Sequence, residues 1–246
     1  MPTRRWSRCT RRVAVRATPR VKRKAARRAP RAEPDIAAHV ASAGQANVSD
    51  DATVQLVVGL GNPGPGHAHD RHNAGFWFVD ALAAKLAVTL REEARFKGEL
   101  GRATSGLRLL KPLTFMNLSG EAVAACAHYF RIAPAQVLVV HDELDLPAGT
   151  VRLKRGGGHG GHNGLRSIDS QLGTNDYLRV RLGIGHPGHA AEVTAHVLGK
   201  PPASEREAIE GAIDAVLGVF DTILRGQVDR AMNSLNRRAA KHKDTT

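Results

Sequence analysis

VQLVVGLGNPGPGHAHDRHN, residues 54–73, runs from an apolar, β-branched stretch into a loop of glycine, proline, asparagine and histidine. Val54 to Val58 reads as a buried strand, and the glycines and prolines beyond it cannot continue a ladder. Gly59, Gly61 and Gly64 satisfy the G-x-G-x-x-G spacing of a dinucleotide site, which needs a helix to start at the loop and bring its N-terminus to a pyrophosphate. Pro63 and Pro65 flank the third glycine and oppose that helix. The acid such a site needs about 20 residues on falls at Asp80, inside the helical pattern FWFVDALAAKL. The stretch is therefore a shaped loop at a strand end, carrying Asn62, His67, His69 and His72.

Working outward, the same pattern recurs. VLVVHDELDLP (Val137 to Pro147) is a second apolar strand ending in charge, Val151 to Lys154 a third that leads into a glycine loop, and Leu178 to Gly185 a fourth with an alternating basic face. Between them, Phe76 to Leu86 reads as a helix. Glu99 to Thr104 and Leu107 to Lys111 read as a strand pair about Ser105 and Gly106. A helix capped by Asn117 or Ser119 runs to about Arg131, with Thr114 to Asn117 in the loop before it, and another opens near Asn163. Ser204 and Glu207 form a capping box for one long helix with apolar positions at Ile209, Ile213, Val216, Leu217, Phe220 and Leu224. The expected fold is a single α/β domain with a mixed, largely parallel central sheet flanked by helices, its site at the carboxyl ends of the strands.

Charge divides the chain. The formal net charge is +13, but residues 1–32 hold thirteen Lys and Arg and no acid, leaving 23 of the 36 basic residues to balance 23 acids. Residues 1–51 are polar, basic and aperiodic, and are expected to be a disordered extension. Such a segment reads as a transit peptide, as a basic arm that adds phosphate affinity, or as the product of a start codon set too far upstream. It is poor in serine and interrupted by Pro19 and Pro30, which favours an expendable extension over a targeting signal. No apolar run approaches the length of a membrane span, and Cys9 and Cys126 have no disulfide or metal spacing.

The converging loops bring His72, Asn62, Asn117, His141, Asp142, His159, His162 and Asn163 to one rim. No G-x-S-x-G elbow, activated cysteine or P-loop is present. Histidine with aspartate and several asparagines is the inventory of a base that activates water, with amide donors for a carbonyl and its oxyanion. An adjacent carboxylate raises the basicity of imidazole. Hydrolysis of an ester or amide follows.

GLGNPG with RHNAG (Arg71 to Gly75), TFMNLSG (Thr114 to Gly120), HDELDLP (His141 to Pro147), GGGHGGHNGL (Gly156 to Leu165), GIGHPG (Gly183 to Gly188) and VLGKPP (Val197 to Pro202) together resemble, in order and spacing, the bacterial-type peptidyl-tRNA hydrolases. The resemblance spans about Val54 to Asn236, and implies a hydrolase domain over 52–240 with a short tail at 241–246. It implies cleavage of the ester between a peptide and the 3′-terminal ribose of tRNA, in the cytoplasm, by a monomer with no metal, cofactor, membrane or obligate protein partner. His72 is then the base and Asp142 its carboxylate, while Asn62 joins the catalytic set by distinguishing blocked from free amino groups. Phe115, Asn117 and Asn163 line the substrate cleft. His67 stands where the family often has tyrosine, and is expected to contact substrate. Lys154 and Arg181, with Arg152, Arg155, Arg166 and Arg179 near them, suit tRNA phosphates.

Blander readings stand beside these. Asp142 could cap a turn, Asn117 and Asn163 could cap helices, the glycine run could be a linker, and the basic strand face could simply be solvated. Two other function classes compete. One is a metal-dependent hydrolase using His67, His69, His72, His159 and His162; the other is a non-enzymatic RNA-binding module, for which the usual aromatics are missing.

Overall fold

The computed structural model describes residues 53–243, with side chains through 236, so the reading of residues 1–51 lies outside the described residues. Seven strands form one sheet: β1 (Leu56–Gly59), β2 (Arg91–Glu93), β3 (Gly98–Arg102), β4 (Arg108–Pro112), β5 (Val137–Glu143), β6 (Val151–Arg155) and β7 (Leu178–Gly183). Their order is β2-β3-β4-β1-β5-β7-β6. The central four, β4, β1, β5 and β7, are parallel, and the antiparallel pairings lie at the two edges. The sheet is thus mixed, with its parallel part where both faces are covered.

Side chains alternate across the sheet; β4, β1 and β5 each feed two cores, while β7 feeds one and turns Arg179 and Arg181 to its other face. Val57, Leu109, Leu138, Val140 and Val180 face one side, against α1 (Ala74–Lys85), α5 (Ala203–Leu217) and α7 (Val228–Lys243). Leu56, Val58, Leu110, Val137 and Val139 face the other, against α2 (Ser119–Phe130) and α3 (Asn163–Leu172). That is why β1 and β5 read as continuous apolar runs, whereas β7, apolar on one face, reads as an alternation.

The glycines after β1 serve close packing. A Cβ on Gly59 would lie 2.1 Å from the carbonyl oxygen of Gly75, and one on Gly75 would lie 2.4 Å from both Leu60 N and Val140 O. The start of α1 therefore rests directly on the end of the strand. Two short 3₁₀ turns, Pro65–His67 and Arg71–Asn73, occupy the loop, and no long helix begins at the third glycine.

Three expectations need correction. β2 was not anticipated, because a three-residue exposed edge strand, Arg-Glu-Glu, has no apolar pattern to read. The proposed capping box is absent: α5 begins at Ala203 behind Pro202 with no side-chain cap, which puts Ser204 inside the first turn. The long helix is two, since the chain turns at Gly218 and Val219 before α6 (Phe220–Leu224); both pieces bury into the same core, which preserves the apolar spacing across the break. At the chain end, α7 runs to Lys243.

Gly59→Ala should lower the unfolding free energy by roughly 1–3 kcal/mol, because the added methyl meets backbone that cannot rotate away. Urea unfolding checks this, and a loss below about 0.5 kcal/mol would show that α1 is not seated so closely.

Candidate active site

His72 lies in the 3₁₀ turn before α1, and the loop that carries it is closed by a reciprocal pair. The backbone N–H of Asn62 donates to Asn73 Oδ1 at 2.8 Å, and Asn73 Nδ2 donates to the Asn62 carbonyl at 3.0 Å. Asn62 reaches onward, its Oδ1 accepting the Met116 N–H at 2.8 Å. One asparagine thus fastens the β1 loop to the turn before α2.

Asp142 stands near the end of β5, with its carboxylate directed at His72. His72 Nδ1 lies 2.9 Å from each carboxylate oxygen, and the two residues are only 8% and 3% exposed. Burial disfavours both charges. At His72 it is outweighed by the charge and hydrogen bond of Asp142, helped by Asp70, so its pKa rises above the ordinary 6.5. At Asp142, burial pulls upward, but the charge of His72 and the hydrogen bonds of His162 and His72 hold the carboxyl well below the usual range. His162 Nε2 is the second partner, 3.0 Å from Asp142 Oδ1. His141, one residue earlier, turns away and bonds the Asp142 carbonyl oxygen at 2.7 Å; complete burial, above all, pushes it down to about 3.

His72, Asp142 and His162 open onto a cavity of about 620 Å³, whose lining does not include His141, expected on the same rim. Asn62, His72, Phe115, Asn117, Asp142 and Asn163 all line it. The helix-cap readings of the two rim asparagines do not hold. Asn117 lies within the 3₁₀ turn Met116–Leu118, and α3 is capped by the His162 ring. Among the described residues neither Asn117 nor Asn163 makes a side-chain hydrogen bond within the protein, and both are exposed. Asp142 is likewise no turn cap, since its oxygens are taken by imidazoles. His67 is not part of the cavity lining; its Nδ1 lies 2.7 Å from Asp70 Oδ2.

The opposite wall was not legible from the sequence. It is the short helix α4 (Val193–Val197) and Leu198, contributing Val193, Thr194, Val197 and Leu198. Arg71, buried and next to the histidine in sequence, ties this wall down. Its Nη1 donates to the carbonyls of His196 and Gly199, each at 3.2 Å, and its Nη2 donates to Glu205 Oε2 at 2.8 Å. A charged residue in a loop gives no sequence signal of such burial.

The basic cluster separates into unlike parts. Arg179 is 2% exposed and donates to the Gly158 and Gly157 carbonyls at 2.9 and 2.7 Å, so it shapes the glycine loop rather than meeting solvent. The loop is consequently no linker: Gly156, Gly157, Gly160 and Gly161 take positive φ and are held from behind. Arg181 pairs with Glu143 at 2.8 Å, whereas Arg152, Lys154 and Arg166 are exposed. The five histidines of the metal reading do not converge. Among the described residues the one group within metal-binding reach is His72, Asp142 and His162, with candidate atoms within 4.8 Å of one another. Both ring nitrogens concerned are already hydrogen-bonded to the carboxylate.

The family model for peptidyl-tRNA hydrolase matches residues 56–244. The chain belongs to the peptidyl-tRNA hydrolase family. It is 55% identical over 185 residues to the peptidyl-tRNA hydrolase of Methylococcus capsulatus, covering 74% of this chain and 99% of that one. Identity to the Edwardsiella ictaluri peptidyl-tRNA hydrolase is also 55%, over 188 residues, with coverage of 75% and 96%. Among solved structures, the peptidyl-tRNA hydrolase of Acinetobacter baumannii superposes with a TM-score of 0.73 at 48% identity, over 76% of this chain and 97% of that one. At the rim of the cavity the phenyl ring of Phe115 is 61% exposed.

Arg71→Met should cost roughly 1–3 kcal/mol, because two carbonyls and a carboxylate lose their donor. Glu205→Gln, at a half-exposed partner, should cost less than about 1 kcal/mol. Paired urea unfolding curves check the order, and equal losses would mean that the carbonyl contacts contribute nothing.

Proposed function

We propose that this chain hydrolyses the ester joining a peptide, or another N-blocked aminoacyl group, to the 3′-terminal ribose of tRNA. The observation that carries this reading is the His72 ring, its Nδ1 held 2.9 Å from both oxygens of buried Asp142 and facing a cavity edged by three asparagines. With its Nδ1 proton given to Asp142, the ring keeps a lone pair on Nε2, which has no hydrogen-bond partner among the described residues. Nε2 takes a proton from water as the oxygen attacks the acyl carbon. The carbonyl becomes an oxyanion that the amides of Asn117 and Asn163 can meet. Collapse breaks the bond to the ribose oxygen, and the imidazolium returns the proton to that leaving group. Asp142 stabilises the imidazolium between these steps.

Asn62 supports selection of blocked substrates. Its Oδ1 is committed to the Met116 N–H, so the group left for substrate is an N–H donor. A peptide carbonyl accepts from it, while a free α-ammonium offers only further donors and positive charge. Phe115 suits stacking at the acceptor end, and exposed Lys154, Arg152 and Arg166 suit the phosphates. His67 would act on substrate only from outside the cavity. The same proposal holds that residues 52–240 are the catalytic domain, that the chain works as a monomer without a partner protein, and that it acts in the cytoplasm, where translation leaves peptidyl-tRNA. A cavity lined by residues between Asn62 and Leu198 supports the first. Among the described residues no helix is long and apolar enough to cross a membrane.

His72→Ala should lower kcat for N-acetylaminoacyl-tRNA by about 10²- to 10⁴-fold while tRNA binding persists; near-normal turnover would remove the base assignment. The pH profile carries a sign. A base is active when unprotonated, and the His72 pKa is raised, so kcat/KM should climb through a midpoint above 6.5. Asp142→Asn removes the main charge responsible for the rise, leaving burial opposed only by the smaller pull of Asp70. Its midpoint should move to lower pH with a rate at least about tenfold lower, and an unmoved midpoint would count against the pair.

A further inference from the structure

We propose that His162 is a positioning residue: the first turn of α3 locks its imidazole in one tautomer, and the locked ring sets how much of the Asp142 charge is left for His72. The inference rests on His72 being the base. His162 occupies the N-cap of α3, where its Nδ1 accepts the backbone N–H groups of Gly164 at 3.1 Å and Leu165 at 3.4 Å. Backbone N–H groups can only donate, so Nδ1 carries no proton and the ring hydrogen is on Nε2. That nitrogen lies 3.0 Å from Asp142 Oδ1, so its hydrogen is given to the carboxylate. A helix N-terminus thus reaches the catalytic carboxylate through one imidazole.

Asp142 is therefore shared. An oxygen that already accepts from His162 draws less strongly on the Nδ1 proton of His72. Removing the His162 donor destabilises the state in which carboxylate and imidazole are both without the extra proton. The dyad then gives up that proton at higher pH, whichever of the two is taken to hold it. The other groups facing the pair stay in place across the comparison. They are Asp70 acting on His72, the His141 ring 5.0 Å from that of His162, and Glu143, His159 and Arg166 on the cavity wall.

Two substitutions separate the cap from the donor. In His162→Asn the amide oxygen stands where Nδ1 was and still caps α3, but the side chain is too short to reach Asp142. In His162→Gln the amide nitrogen stands where Nε2 was and keeps the bond to Asp142, while the cap is lost. The acid limb of kcat/KM on N-acetylaminoacyl-tRNA should move up by about half a unit in His162→Asn, roughly a threefold loss on the acid side, with Tm near wild type. In His162→Gln the limb should stay in place and Tm should fall. Equal limb shifts in both variants, or none in His162→Asn, would overturn the proposal. ¹⁵N spectra of the wild-type imidazoles read the tautomer without reference to activity: a proton on Nε2 of His162 supports the lock, and one on Nδ1 overturns it. Turnover retained by His72→Ala sinks the base assignment instead, and leaves that spectrum interpretable.

Discussion

The site depends on keeping one carboxylate ionised where water cannot help it. A buried Asp142 without partners would take up a proton rather than carry charge. It receives instead N–H groups from two imidazoles, each supplied by a different loop. His72 comes from the turn before α1 and His162 from the turn before α3, so α1, α3 and β5 have to meet at one point. The His72 contact holds the carboxyl down and the imidazole up, while the His162 contact holds the carboxyl down alone.

Bringing three chain segments to that point is the work of the sheet. β1 and β5 are neighbours and end on the same side, which brings the His72 loop within reach of Asp142. Gly59 and Gly75 let α1 settle onto the strand end, and Asn73 closes the intervening loop on Asn62. Arg179, from inside the fold, fastens the glycine loop that leads to His162. Arg71 fastens the far wall. Charged side chains spent on backbone carbonyls in this way stiffen loops that sheet and helix hydrogen bonds do not reach.

Much of this was legible in the sequence, for physical reasons. Strands buried on both faces show as unbroken apolar runs, and prolines around Gly64 betray a loop that cannot open a helix. Six of the seven residues named for the site line one cavity. Those after β1 and β4 and at the end of β5 do so because the carboxyl ends of parallel strands share a rim, whereas Asn163 arrives from the loop after antiparallel β6. His67 does not line it, since a neighbouring acid, Asp70, takes its ring. Other features left no local signal. Arg179 lies in an alternation that reads as a solvated face, and only the tertiary fold puts glycine carbonyls over it. A histidine at a helix N-cap is outside the usual Ser, Thr, Asp and Asn set, so His162 read as a loop residue and the neighbouring asparagine as the cap. The break at Gly218 was hidden because apolar spacing continues across it.

The most direct test of the central claim is an NMR titration of the His72 ring in the unliganded wild-type protein. If a buried, ionised Asp142 holds that imidazole, its midpoint lies above 6.5, because the carboxylate outweighs the desolvation of the ring. A midpoint at or below 6.5 would mean that burial wins, and that Asp142 does not carry the charge on which the site depends.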